Sequence, residues 1–94
     1  MDCCKKVARD ENLIKDINNR MNRVIGQLNG INNMIKENRY CMDILIQLAA
    51  SEAALKELGY IILKDHLLTC VNDDIKNNDT STLIEAFEIS KKLN

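Results

Sequence analysis

The chain has 94 residues, which is enough for one domain with a modest core. The chain contains 13 lysine and arginine residues and 14 aspartate and glutamate residues. The resulting net charge of −1 argues against nucleic-acid binding over the whole surface. There is no proline and there are only three glycines, so long helices can run unbroken. Long helices in so short a chain bury little surface alone. We therefore expect a single helical domain over residues 1–94, with residues 1–9 flexible, that oligomerises.

No apolar run is long enough to cross a bilayer, and the N-terminal residues lead into charged residues rather than into the apolar core of a signal peptide. We therefore expect a cytoplasmic protein without membrane association. In that reducing compartment, the four cysteines are expected to be metal ligands or reactive thiols rather than disulfides. No nucleophile–base pair is identifiable around the one histidine, so we expect neither an enzyme nor a small-molecule substrate.

The first predicted helix covers about residues 10–36. Apolar residues recur in it at alternating spacings of three and four, which is typical of a helix packed along its length on another: Ile14, Ile17, Met21, Val24, Leu28, Ile31 and Ile35. Basic residues concentrate in the same part of the chain, where residues 1–40 hold eight lysines and arginines against five acidic residues. A locally basic helix can bind a polyanion even in a chain of net negative charge.

A second helix is predicted over about residues 40–71, antiparallel to the first and interrupted at most at Gly59. A polar, turn-forming segment separates it from a short third helix over about residues 82–93. Thr82 and Glu85 have the spacing of a capping box at the start of that helix. The predicted fold is therefore all-α, with two long antiparallel helices and a short third helix.

One set of residues in the second helix has the chemistry of a metal site. His66 and Cys70 lie four residues apart, which places them on one helix face within reach of one ion. At about 100° per residue, Cys41 points in nearly the same direction from the helix axis as His66 and Cys70. Along a continuous helix, however, Cys41 lies about 37 Å from His66. One chain alone cannot join the three residues. A second chain laid antiparallel brings Cys41 of one copy to His66 and Cys70 of the other, and two-fold symmetry forms the site twice.

The donor atoms of this set favour one metal. Two thiolates and one imidazole form a three-ligand set that is mostly soft. Zn²⁺ in a structural site normally takes a fourth ligand, and octahedral Ni²⁺ or Co²⁺ prefers more nitrogen or oxygen. Cu(I) accepts thiolates readily, so the set favours Cu(I) first and Zn²⁺ second. The two copies would cross near Ala54, where the surrounding residues are small enough for two helices to approach closely.

Three segments of the sequence resemble the copper-sensing repressor (CsoR) family: RMNRVIGQLNGI at residues 20–31, RYCMDILIQ at residues 39–47 and DHLLTCV at residues 65–71. The resemblance covers about residues 15–92. It implies a helical dimer that pairs into a homotetramer and binds operator DNA when it is metal-free. It also implies that Cu(I) binds between protomers and that the DNA is then released.

The resemblance also assigns roles to individual residues. It implies that Cys41, His66 and Cys70 bind Cu(I), with Tyr40 and Glu85 standing behind these ligands. A carboxylate at Glu85 that accepts a hydrogen bond from the free imidazole N–H would orient His66 and connect the third helix to the metal.

DNA binding is predicted for the first helix. If the helix extends back to Lys5, four basic residues fall within about 60° of one another around its axis: Lys5, Arg9, Arg20 and Arg23. Asp16 interrupts this stripe, and such a pattern by itself usually means a solvated face. With the resemblance, we predict that Arg9, Arg20 and Arg23 contact DNA phosphates, and no helix-turn-helix is apparent for reading bases. The chain departs from the family at Asn29, where arginine is common, and at Glu57, where some members carry a basic residue. These departures weaken the expected DNA-binding surface.

Two alternatives remain open. One is a persulfide- or thiol-sensing repressor of the same fold in which Cys41 and Cys70 of two chains link through sulfur, although His66 argues against it. The other is a copper- or zinc-binding dimer without a regulatory role. Cys3 and Cys4 lie outside the family pattern, and we interpret them as exposed thiols of a flexible terminus rather than as a second metal site.

Overall fold

The computed structural model describes residues 10–94. All regular secondary structure in this part of the chain is helical, so the predicted all-α class is confirmed. The elements are α1 (Glu11–Lys36), α2 (Cys41–His66), the π-helical segment Leu67–Val71, α3 (Asn72–Lys76) and α4 (Ser81–Leu93). No helix within residues 10–94 combines the length and apolar character that spanning a membrane would require. The described chain divides into two compact units, residues 10–58 and residues 59–94.

The unit of residues 10–58 is an antiparallel helical hairpin. Its turn contains Asn38 at φ 57°, a left-handed conformation that asparagine tolerates better than most residues. The Ser51 hydroxyl donates a hydrogen bond to Gln27 Oε1 at 3.2 Å, and Arg20 pairs with Glu57. From the pair Gln27–Ser51 to the pair Arg20–Glu57, the contact moves back along α1 and forward along α2. This is the register of antiparallel helices.

The apolar residues that recur along α1 at spacings of three and four form the predicted apolar seam, and only part of this seam is buried against α2 within this unit. Val24 and Ile31, seven residues apart, are buried. The residues at the other seam position are exposed to between 38% and 55%: Ile14, Met21, Leu28 and Ile35. The heptad pattern therefore consists of two adjacent stripes. One stripe lies in the core of the hairpin, and the other is an exposed apolar surface of the single chain.

The unit of residues 59–94 packs α4 against the end of α2. A Cβ atom added to Gly59 would lie 2.8 Å from Leu93 Cδ2, so the absence of a side chain permits the close approach of the two helices. The Tyr60 hydroxyl hydrogen-bonds the Asn94 side chain near the same contact. The buried residues of this unit lie on the π-helical segment, α3 and α4: Cys70, Val71, Asp74, Thr82 and Ala86.

Helical structure continues further than the sequence predicted, since it passes Val71 and ends at Lys76. The short predicted third helix corresponds to α4, but its predicted capping box is wrong. Thr82 lies inside the helix and is 1% exposed. The N-cap residue of α4 is Thr80, which makes no side-chain capping hydrogen bond. Asp79 precedes it, and its Oδ1 accepts hydrogen bonds from the Ser81 hydroxyl at 2.7 Å and the Ser81 backbone N–H at 3.0 Å. The hydrogen bond from the Ser81 hydroxyl, and then that from its backbone, lowers the pKa of Asp79 below the ordinary value of 3.8.

Candidate metal centre

Cys41 is the first residue of α2, and its side chain is an exposed free thiol. Tyr40 precedes it with 69% of its surface exposed. The Tyr40 carbonyl oxygen accepts the backbone N–H groups of Asp43 and Ile44 at 3.1 and 3.3 Å, which starts the helix directly at the cysteine. The thiol is therefore presented at the beginning of a regular helix, where a second molecule can reach it.

Cys70 is a buried free thiol within the π-helical segment. The neighbouring Thr69 hydroxyl donates a hydrogen bond to the Asp65 carbonyl oxygen at 2.8 Å and lies 3.7 Å from Cys70 Sγ. Hydrogen bonds of the i→i+5 type place more residues in each turn, so Cys70 is rotated away from the position that a uniform α-helix gives it relative to His66. The predicted stripe of Cys41, His66 and Cys70 holds only for a uniform α-helix, and π-helical turns are frequent at functional sites.

His66 is the last residue of α2 and is half-buried. It lines a cavity of about 280 Å³ between α2 and α4: Gly59, Ile62, Leu63, His66, Glu85, Ala86, Ile89 and Leu93. His66 and Glu85, which the resemblance linked, thus face the same cavity. The Glu85 side chain makes no hydrogen bond or ion pair within residues 10–94, and the cavity is otherwise almost entirely apolar.

A single chain does not assemble the predicted donor set. Within residues 10–94 there is no group of three histidine, cysteine or acidic side chains close enough to hold a metal ion. Cys41 begins an uninterrupted helix of 26 residues and His66 ends it.

Two buried polar atoms near Cys70 were not singled out from the sequence. Asp74 Oδ2 and Thr82 Oγ1 are buried and have no hydrogen-bond partner among the described residues. Asp74 lies in the polar run of residues 72–74, which the sequence analysis assigned to a turn, so its burial in α3 was missed. A buried polar atom without a partner typically costs about 1–3 kcal/mol, so these two atoms weaken the packing of α3 against α4.

The arginines predicted to bind DNA lie in different environments. Arg20 Nε lies 3.2 Å from Asp16 Oδ2, and Arg20 Nη1 lies 3.3 Å from Glu57 Oε1. Arg23 is exposed and makes no ion pair with any residue of the described part of the chain. Arg9 lies outside the described residues, as do Cys3 and Cys4.

Comparison with known proteins identifies the family to which this chain belongs. Residues 14–92 match the model of a family described as metal-sensitive transcriptional repressors. This match spans most of the chain, and the chain belongs to that family. The family membership predicted from the three sequence segments is therefore confirmed.

The chain is similar to individual metal-responsive regulators of known name or structure. The chain is 44% identical over 77 residues to the copper-sensing transcriptional repressor CsoR of Bacillus subtilis (strain 168), an alignment that covers 81% of this chain and 76% of that protein. The crystal structure of the copper-sensing repressor CsoR with Cu(I) from Geobacillus thermodenitrificans NG80-2 matches with a TM-score of 0.84 at 34% identity, over 92% of this chain and 91% of that chain. The nickel-responsive transcriptional regulator InrS matches with a TM-score of 0.73 at 28% identity, over 95% and 99% of the two chains.

Proposed function

We propose that this protein represses transcription in response to Cu(I), binding operator DNA when metal-free and releasing it when Cu(I) is bound. The observation that carries the proposal is the donor set Cys41, His66 and Cys70 in a member of the metal-sensitive repressor family. Both cysteines are free thiols, and the chain has one histidine. Such a set suits Cu(I) better than Ni²⁺, which prefers more nitrogen and oxygen. The copper-sensing relatives support the same choice.

The site is shared by two copies of the chain. Cys41 is exposed at one end of α2, whereas His66 ends the same helix and Cys70 follows one turn later. An antiparallel partner would bring Cys41 of one copy to His66 and Cys70 of the other. Cu(I) supplies a soft acceptor for the two thiolates, and the protein supplies the donors from two chains at once.

The exposed apolar surface of the hairpin supports this dimer. A second set of exposed apolar side chains lies at the start of α2: Met42, Leu45 and Ile46. An apolar surface of this extent is typical of a protein–protein interface, because water contact with it is unfavourable. Two such dimers would form the homotetramer that the family resemblance implies.

Glu85 is the proposed connection between the metal ligands and the rest of the molecule. Because His66 and Glu85 line the same cavity, the carboxylate is positioned to accept a hydrogen bond from an imidazole nitrogen. That bond would fix the ring with its other nitrogen free for the metal, and it would hold α4 in one position. Tyr40, next to Cys41, is the proposed neighbour at the other end of the ligand set.

Repression requires that the metal-free oligomer binds DNA, and we propose that it does so in the cytoplasm. The candidate phosphate contacts are Arg20 and Arg23 on α1, with Arg9 outside the described residues. Linkage relates the two ligands: a protein whose DNA-incompetent form binds Cu(I) more tightly loses DNA affinity by the same factor when Cu(I) is present.

Anaerobic titration of the reduced protein with Cu(I), against a competing chelator, tests the metal site. We expect one Cu(I) per protomer for the wild type and weaker binding for His66→Ala. A Cys3→Ser/Cys4→Ser variant is the matched control, and it should retain the wild-type stoichiometry. The metal-free protein should then select a binding sequence from a pool of random DNA duplexes, and Cu(I) should release that duplex in fluorescence anisotropy.

Failure of each step would favour a different function. No competitive Cu(I) binding would contradict the copper proposal, and a mass shift with sulfane sulfur that depends on Cys41 and Cys70 would then favour the thiol sensor. Tight Cu(I) binding without selection of any DNA would favour a copper-binding dimer that has no regulatory role.

A further inference from the structure

Arg20 and Arg23 lie about 60° apart around the axis of α1, at different angles to α2. The buried residues Val24 and Ile31 mark the side of the helix that faces α2. At about 100° per residue, Arg20 lies about 30° from that direction and Arg23 about 90° from it. Arg20 therefore lies at the edge of the contact with α2, whereas Arg23 projects away from the hairpin.

Arg20 is surrounded by more negative charge than it carries. Its guanidinium pairs with Asp16 of α1 and with Glu57 of α2, and the three side chains together carry a net charge of −1. The Arg20 side chain is 37% exposed, less than the 52% and 66% of its two carboxylate partners. A phosphate that approaches this group meets a negative local charge, and Arg20 must leave its partners to bind it.

Lys15 lies on a different face of α1, is exposed and makes no ion pair within residues 10–94. Within about 40° of Lys15 around the axis lie one acidic residue, Glu11, and a run of uncharged positions: Asn19, Asn22, Gly26, Asn29 and Asn33. C-terminal to Lys15 the one acidic residue of α1 is Asp16, which lies about 20° around the axis from Arg23 and pairs with Arg20. Space is open around Gly26, and asparagine amides can donate hydrogen bonds to phosphate oxygens. Arg23 borders this face.

We propose that Asp16 and Glu57 withhold Arg20 from DNA, and that the phosphate contact of α1 is made by the face that carries Lys15 and Arg23. The inference rests on the proposed DNA-binding function and deepens it. Glu57 is then a residue of this chain that limits DNA affinity, at a position where the resemblance leads one to expect a basic residue. Phosphate contacts supply salt-dependent affinity, so the partner recognised by this face is the DNA backbone.

The test is a double-mutant cycle measured with the duplex that the wild-type protein selects. Glu57→Gln frees Arg20 from one of its two partners, and we expect DNA affinity to rise about two- to fivefold per contacting protomer. The salt dependence should steepen as Arg20 gains phosphate contact. In the Arg20→Gln background the same substitution should produce only the smaller effect of removing a surface charge, so the two effects should not add.

Two further variants complete the experiment. Glu37→Gln makes the same charge change at an exposed residue that has no ion-pair partner within residues 10–94, and it should raise affinity less than Glu57→Gln. Arg23→Gln should weaken binding and reduce the slope of log affinity against log salt by about one per contacting protomer. All four side chains are exposed or half-exposed, so folding should be retained, which thermal melting checks.

The outcomes separate this inference from the function on which it rests. If the wild-type protein selects no duplex, both the repressor function and the phosphate-contacting face are wrong. If it binds DNA but Glu57→Gln has the same effect with and without Arg20, Asp16 and Glu57 do not withhold that arginine and the inference alone is overturned. An unchanged salt slope in Arg23→Gln would likewise contradict the proposed face.

Discussion

The hairpin of residues 10–58 and the unit of residues 59–94 each bury a hydroxyl side chain, but in different ways. Ser51 is 2% exposed, and its hydroxyl donates to Gln27 Oε1 across the hairpin. Thr82 is 1% exposed, and its hydroxyl has no partner among the described residues, like the carboxylate oxygen Asp74 Oδ2. Among the described residues, the buried polar side chain of the hairpin is hydrogen-bonded, whereas the C-terminal unit combines buried polar atoms without partners, a π-helical segment and a cavity.

This difference between the two units matches two roles of a sensor: binding to partners and rearranging when the metal binds. A hydrogen-bonded buried hydroxyl and regular helices give the hairpin a stable surface for partners, and this unit carries Cys41, Lys15 and Arg23. Unpaired buried groups lower the free energy of local rearrangement, and this unit carries His66, Cys70 and Glu85. We therefore expect substitutions in the hairpin other than those at Cys41 to change association, and substitutions in the C-terminal unit to change the response to metal.

The largest expected effect comes from dividing the ligands between two chains. Cys41→Ser and Cys70→Ser should each abolish Cu(I) binding that resists a competing chelator, because each removes a thiolate from every site. Mixing the two variants under exchange should restore about one quarter of the sites, since half of the dimers then contain one site with all its ligands.

The control for this experiment is a mixture of His66→Ala with Cys70→Ser. One chain supplies both His66 and Cys70 to each proposed site, so each variant chain always lacks one of the two. No combination of these two variants therefore contains a complete ligand set. Recovery in this control, or none in the first mixture, would contradict a site formed by Cys41 of one copy with His66 and Cys70 of another.

An intermediate effect is expected from Glu85→Gln. Losing the carboxylate behind a metal-bound imidazole typically lowers metal affinity about 10- to 100-fold, and release of DNA by Cu(I) should weaken with it. Chelator competition and anisotropy measure the two quantities. Glu88→Gln is the matched control, because Glu88 lies on the same helix, pairs with Lys91 and does not line the cavity. Equal behaviour of the two variants would exclude a special role for Glu85.

A smaller effect is expected from Thr82→Val. Valine has nearly the shape of threonine and lacks the buried hydroxyl, so the free energy of unfolding of the metal-free protein should rise by about 1 kcal/mol. Urea unfolding of the wild type, Thr82→Val and Ser51→Ala tests the comparison directly. Ser51→Ala should destabilise the protein because it leaves Gln27 without its donor. A loss of stability in Thr82→Val would mean that the hydroxyl has a hydrogen-bond partner such as an ordered water.

The smallest effect concerns pH. The pKa of Asp79 is lowered by the Ser81 hydroxyl and backbone, so this carboxylate stabilises the folded state fully above pH 3.8, the ordinary value for an aspartate. The contribution is lost as pH falls through the lowered pKa. Asp79→Asn should therefore lower Tm slightly, of order a degree, at neutral pH and match the wild type in acid. A difference in Tm that persists below the lowered pKa would assign the effect to something other than the carboxylate charge.

The sequence by itself determined the helices, the donor set and the family. Helix positions follow from a local apolar period in a chain without proline, and that information is complete within each segment. The types and spacing of Cys41, His66 and Cys70 also follow from local sequence, and their family context is confirmed by the match over residues 14–92. Their roles as ligands and the single-domain organisation remain predictions.

Only the tertiary structure decided which groups are paired and which are buried. It separated the covered stripe of Val24 and Ile31 from the exposed one, and it joined Arg20 to Glu57, 37 residues away. It placed Thr82 in the core, and it paired the Ser81 hydroxyl at the start of α4 with Asp79. These outcomes depend on the packing of residues far apart in the chain. A local apolar or polar pattern is the same whether a side chain faces another helix, a partner or water.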